Sequence, residues 1–234
     1  IGILEAGSVA PEYHGYLTSF SDSFWHFLNA TGEGPDLRSY LCYDGEFPNA
    51  VDECDGWLIT GAAASVYDGD AWIAQLEAFT RTASESRPIV GVCFGHQLIA
   101  QAFGGTVEKA LGWGVGVHRH DVFDTANWMD PPLQSLSLLA SHQDQVVTAP
   151  PGAEVLGGSD FCPIGIMTIG CNVLSLQNHP GMTRDLASQL LRVRREIVGP
   201  AAADAALASL DTPTDEAAAA AWILGFLDRR TQVG

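Results

Sequence analysis

Positive charge is scarce in this 234-residue sequence: 11 Lys and Arg face 28 Asp and Glu, giving a formal net charge of -17. Nucleic-acid binding needs clustered cations against phosphates, so no nucleic-acid partner is expected. Beyond that exclusion the acidity speaks only to solubility. No run approaches the roughly 18 consecutive apolar residues of a membrane helix, so no membrane partner is expected either. A charged-then-apolar leader is also missing from the start, although the sequence opens on Ile1 and a leader preceding it is left open. Paired cysteines are absent too: the five, at positions 42, 54, 93, 162 and 171, are odd in number and include no C-x-x-C. That fits neither a disulfide framework nor a zinc site, and it points to no metal and a reducing, cytoplasmic setting. Cys42, Cys54, Cys162 and Cys171 read as buried or inert thiols.

What is present is ordinary globular material, 47% hydrophobic and 17% charged, long enough for one substantial core. "IGILEAG" (1–7), "RSYLCYDG" (38–45), "CDGWLITG" (54–61) and "PIVGVCFG" (88–95) read as buried strands. Between them, apolar spacing predicts helices over 16–28 and 70–85, and another follows the last strand as far as Phe103. Such alternation implies parallel βαβ units in a three-layer α/β sheet. After Gly105 the texture changes to short, closely spaced strands with no room for helices, and antiparallel pairing is expected there. A helix over 183–197 follows. The Ala-rich extension from 198 to 234 is expected to pack on the domain formed by 1–197. Thr212, Pro213 and Asp215 resemble a capping box before a helix whose docking face holds Trp222, Ile223, Phe226 and Leu227.

The chemistry centres on Gly91-Val92-Cys93-Phe94-Gly95. A nucleophile on a sharp strand-to-helix turn needs small neighbours, and helix N-terminal N–H groups favour a thiolate. A buried structural cysteine at such a junction is the plain alternative. A reacting thiol also needs a base and donors for the developing oxyanion. His179, at the end of the strand in "VLSLQNHP" (173–180), is the leading base, and a surface histidine is its bland counterpart. Backbone N–H groups of Gly61 and Ala62 in "ITGAAAS" (59–65), with that of Phe94, are candidate oxyanion donors.

Taken together, "GVCFGHQLIAQAFGG", "LITGAAASVYD", "ASHQDQV" and "LQNHP" resemble, in order and spacing, the class I glutamine amidotransferases. The resemblance runs from about Ile1 to Ile197 and leans toward the free-standing γ-glutamyl peptidase branch, on "CFGHQ", "GWGVGVHRHDV" and "SHQDQVV". It implies a mostly parallel, flavodoxin-like sheet and hydrolysis of a γ-glutamyl amide without a cofactor. Cys93 would form a thioester, and His179 would act as base and then acid. Gly61, Ala62 and Phe94 would donate to the oxyanion; Gln97, Ser141, His142 and Gln143 would hold the glutamyl group. His142 matches the substrate loop rather than the base, and His96 is assigned to packing or a hydrogen bond. The partners implied are a small γ-glutamyl substrate and, for a transferase, a separate ammonia-accepting synthetase.

The match breaks at one place. The family's H-P-E motif is His179-Pro180-Gly181 here, so the carboxylate that orients the imidazole is missing. Loss of that group costs serine enzymes about 10⁴ in rate, whereas a thiol depends on it less. Asp185, one turn further on, is the nearest substitute acid, with Glu5 and Glu12 weaker candidates. A second, milder departure is "GAAAS" where the family often has Gly-Gly-Pro. Two alternatives stay open: a degenerate relative that binds a glutamyl ligand or partner, and a biosynthetic thioester or transfer enzyme on the same scaffold.

Overall fold

The computed structural model describes residues 1–30, 32 and 34–228. Nine strands form one mixed sheet: β1 (Gly2–Leu4), β2 (Arg38–Tyr40), β3 (Trp57–Ile59), β4 (Ile89–Val92), β5 (Thr106–Val122), β6 (Ser135–Thr148), β7 (Ala153–Gly158), β8 (Ile166–Ile169) and β9 (Val173–Leu176). Their spatial order is β2-β1-β3-β4-β9-β8-β7-β5-β6. The first five in that order are parallel, and every pairing from β9 onward is antiparallel. Strands β1, β3, β4 and β9 are buried at every position, as expected for strands covered on both faces.

The helices are α1 (Phe20–Leu28), α2 (Ala71–Ser84), α3 (Phe94–Ala102), α4 (Arg184–Val193), α5 (Arg195–Val198), α6 (Pro200–Ser209) and α7 (Glu216–Leu227). Phe24, Phe27 and Leu28 of α1 and Trp222, Ile223 and Phe226 of α7 share one core with Ile3, Leu58, Val90 and Leu174. On the other face, Ile73 and Leu76 of α2 and Leu98 and Ile99 of α3 pack with Leu4, Ile59 and Ile89. None of the described helices is long and apolar enough to cross a membrane.

Several boundaries differ from the sequence expectation for local reasons. Helix α1 starts at Phe20 rather than Tyr16, because Ser19 Oγ caps it by accepting from Asp22 N at 2.9 Å. The 38–45 strand stops at Tyr40, and Cys42–Asp44 form a 3₁₀ turn ending on Gly45 in the left-handed region. Asp215 does not cap α7 with its side chain; its carboxylate accepts from Ser137 N at 2.8 Å and ties the tail to β6. The last six residues of the C-terminal extension, 229–234, lie outside the described residues.

Candidate active site

Three parallel strands end at one place. β3 runs into Thr60-Gly61-Ala62, β4 into Cys93, and β9 into the segment that reaches His179. Cys93 has φ 54°, making it the one non-glycine residue with positive φ among those described. It sits between β4 and α3, where the chain reverses sharply enough to require a conformation most side chains avoid. The flanking glycines admit this turn by close approach: a Cβ on Gly95 would stand 2.5 Å from the Ile59 carbonyl oxygen, and one on Gly91 2.5 Å from that of Gly95.

His179 is fixed through its backbone, its N–H donating to the Leu139 carbonyl of β6 at 2.7 Å. A methyl group on Gly61 would lie 3.0 Å from His179 Cε1 and 3.7 Å from Cys93 Cβ, so the three residues meet around one point. The Gly61 loop is held by Thr60: its Oγ1 accepts from Ala6 N and donates to Gly61 O, both at 3.0 Å, and its carbonyl accepts from Gly95 N at 3.2 Å. Among the described residues, neither the Gly61 nor the Ala62 N–H donates to a backbone carbonyl.

Burial sets the electrostatics of the pair. It pushes the Cys93 thiol up to about 12, against the lowering effect of the Phe94 N–H. It pushes the His179 imidazole down to about 4, the adjacent Ser141 carbonyl working the other way and the Arg194 cation adding to the drop. The thiolate expected from the helix N-terminus is therefore not the resting form. The N–H acts in the anticipated direction, and desolvation outweighs it. At neutral pH the pair is thiol and neutral imidazole.

No carboxylate reaches the His179 ring among the described residues, and its Nε2 is buried without a hydrogen-bond partner. Gly181 has φ 82°, and a Cβ there would come within 2.8 Å of Phe27 Cβ. Asp185 is exposed on the first turn of α4 and does not meet the imidazole. Glu5 is buried but committed elsewhere, its Oε1 accepting from Ser21 Oγ at 2.6 Å and Ser39 Oγ at 2.7 Å. Glu12 is exposed.

A cavity of about 120 Å³ opens beside the point where Cys93, Gly61 and His179 meet. His179, Gly61, Ala62 and Ser141 line it, with Tyr13, Leu17, Phe20, Leu190 and Arg194 among the remaining walls.

The family model for class-I glutamine amidotransferases matches residues 39–192, more than half of the chain. The chain belongs to that family. It is 30% identical over 187 residues to γ-glutamyl peptidase 2 of Arabidopsis thaliana, covering 76% of this chain and 73% of that protein. It is also 31% identical over 128 residues to the glutamine-hydrolyzing GMP synthase of Dehalococcoides mccartyi, covering 53% of this chain and 23% of that one. The crystal structure of a glutamine amidotransferase from Thermotoga maritima superposes with a TM-score of 0.75 at 13% identity, over 98% of this chain and 97% of that one. At that identity the likeness speaks for the amidotransferase fold alone.

Within this amidotransferase fold the remaining sequence candidates divide. Gln97 is buried, with Nε2 donating to the Asp144 carbonyl at 2.7 Å and to Gln177 Oε1 at 3.3 Å. It thus braces residues 141–145, which lie within strand β6 rather than on the loop that the sequence suggested. His142 is buried too; its Nε2 lies 3.4 Å from Gln145 Nε2, and its Nδ1 has no partner. Gln143 is half-buried on the same strand. His96 bonds to Ser175 Oγ at 2.8 Å and the Ile164 carbonyl at 3.0 Å. Of the other cysteines, Cys42 and Cys162 are buried, Cys54 is half-buried and Cys171 is exposed, all free.

Four participants escape sequence reasoning. Ser65 Oγ and Tyr67 Oη both donate to the Asp144 carboxylate, the latter at 2.9 Å, pinning the Gly61 loop to β6. Tyr13 and Arg194 come from a 3₁₀ turn and a helix end far apart in the chain, with Arg194 Cζ 6.0 Å from the Tyr13 ring centre. Nothing local in the sequence marks either as part of a site.

Proposed function

We propose that this amidotransferase-family protein is an amidohydrolase that cleaves a γ-glutamyl amide through a thioester on Cys93. The convergence of Cys93, Gly61 and His179 carries the reading. Because the resting pair is neutral, Cys93 Sγ attacks the side-chain carbonyl as its proton passes to His179. The oxyanion so formed is met by the N–H groups of Gly61, Ala62 and Phe94. The imidazolium then returns its proton to the departing nitrogen, and water, deprotonated by His179, releases glutamate from the thioester.

Such a cycle runs without the family's third residue. With no carboxylate on the ring, the imidazolium is stabilised less, and turnover is slower than a complete triad gives. Gln97, Ser141, His142 and Gln143 form the side of the site that receives the glutamyl moiety. The substrate is a small γ-glutamyl compound. With glutamine itself the released ammonia would need a separate synthetase as acceptor. Five free cysteines fit work in a reducing compartment.

The test is glutamate release from glutamine and from γ-glutamyl dipeptides by the wild type and by Cys93→Ala. Release by the wild type that falls by about 10³-fold or more in the variant supports the reading. Equal release by both, or failure of a glutamine-directed electrophile to label Cys93, sinks it. A wild type that binds γ-glutamyl compounds without turnover identifies a ligand-binding relative instead.

A further inference from the structure

The cavity beside His179 lies on the leaving-group side of the reaction, because His179 is the acid that protonates the departing nitrogen. Of the four residues on the glutamyl side only Ser141 is among its walls, where the two sides meet; Gln97, His142 and Gln143 are not. At about 120 Å³ it is several times the roughly 30 Å³ that a molecule of water's size occupies, so departing ammonia leaves most of it unfilled. Its walls are dominated by Tyr13, Leu17, Phe20, Leu186 and Leu190, which favour an apolar occupant. Its one charged side chain is Arg194.

Arg194 stands out in so acidic a chain. No carboxylate lies within ion-pair distance of its guanidinium among the described residues. It is half-buried at the end of α4, flanked by the Tyr13 ring. A guanidinium left unpaired in an apolar pocket suits a carboxylate, which it can hold through two parallel hydrogen bonds. Further out, a wider groove that shares Leu17 and Met182 with the cavity carries Asp22 and Glu216, so an anion reaching outward meets like charge.

We propose that the leaving group is an apolar α-amino acid, its side chain in the Tyr13–Leu17–Leu190 cavity and its carboxylate on Arg194, making γ-glutamyl dipeptides with a hydrophobic second residue the substrate class. The inference rests on the amidohydrolase reading above and names the substrate of that same site. The peptide nitrogen of such a dipeptide is the one that His179 protonates. Cleavage yields glutamate and the free amino acid, with one water consumed.

The experiment compares kcat/KM for γ-Glu-Leu, γ-Glu-leucinamide, γ-Glu-Gly and glutamine in the wild type, Arg194→Gln and Arg194→Lys. In the wild type γ-Glu-Leu exceeds γ-Glu-leucinamide by about tenfold or more, the value of one charge-assisted contact. It exceeds γ-Glu-Gly by about tenfold or more for the lost side chain. In Arg194→Gln the carboxylate preference collapses to less than about threefold, and Arg194→Lys recovers part of it. Binding of the same compounds to Cys93→Ala, measured calorimetrically, follows the same ranking. A wild type that hydrolyses glutamine as well as γ-Glu-Leu, or that treats γ-Glu-Leu and its amide alike, overturns this inference and leaves the hydrolase reading standing. Absence of both turnover and binding for all four compounds overturns both.

Discussion

The two halves of the sheet fix atoms in different ways. In the parallel half, β1, β3, β4 and β9 are short and wholly buried, and the ends of β3, β4 and β9 bring Gly61, Cys93 and His179 together through backbone geometry. In the antiparallel half, β5 and β6 form a long hairpin whose buried positions include His120, His142 and Gln145. Among the described residues, no buried histidine lies on β1, β2 or β3 or on the helices between them. The turns at the ends of β3 and β4 therefore depend on close backbone contact, whereas the imidazoles that burial keeps neutral lie on β5 and β6, on α3 against β9, and just beyond β9. Different perturbations separate them.

Acid is the stronger one. Burial holds His96 at about 3, and His120 and His179 at about 4, with His118 and His142 also lowered. In the unfolded chain each returns to about 6.5. Between that value and the folded ones the unfolded state binds more protons, so stability falls as pH is lowered through the window. It levels off only below the folded values. Each of His96, His120 and His179 is expected to remove about 1–2 kcal/mol by pH 5 relative to pH 7. Urea unfolding at the two pH values measures this, and an unchanged midpoint contradicts the neutral-imidazole picture.

The parallel half is broken by a single methyl group. Gly95→Ala drives a Cβ against the Ile59 carbonyl, a backbone atom that cannot rotate away. A loss of about 1–3 kcal/mol is expected, together with at least about a hundredfold fall in glutamate release as Cys93 shifts. A variant with wild-type kinetics shows that the elbow tolerates more space than its geometry allows.

The smallest effect tests the junction where β9 hands over to α4. Gly181→Glu places a carboxylate directly after His179-Pro180, yet φ 82° and the Phe27 side chain oppose any side chain there. The expected result is about 1–2 kcal/mol of lost stability and no gain in glutamate release. A tenfold gain at unchanged thermal stability shows instead that α1 yields and lets the carboxylate reach His179.

The same contrast explains what can be read from the residues alone. Buried parallel strands are continuous apolar runs ended by glycines, so β1 to β4 are legible, and Cys93, Gly61 and His179 are legible as candidates that meet at one point. Strand β9 is not, because it follows the short strands for which antiparallel pairing is expected and yet pairs parallel with β4. The hairpin is legible only as antiparallel strands, since its register shifts between Lys109 and Gly114 and its buried histidines follow no local pattern. Arg194 and Tyr13 join the site through tertiary packing alone. The Cys93 thiol departs from the sequence expectation for a related reason. The helix N-terminus is visible in sequence, whereas the burial that overrides it is a property of the whole fold.

Helix α7 follows every strand in the chain, yet Trp222, Ile223 and Phe226 complete the core beneath Ile3, Leu58 and Val90, all of which are made before it. During synthesis the face that α1 covers in part therefore waits for α7 to complete it. Such waiting surfaces are where nascent chains aggregate. For this molecule the interval between making Cys93 and docking α7 is the period when a chaperone has most to offer.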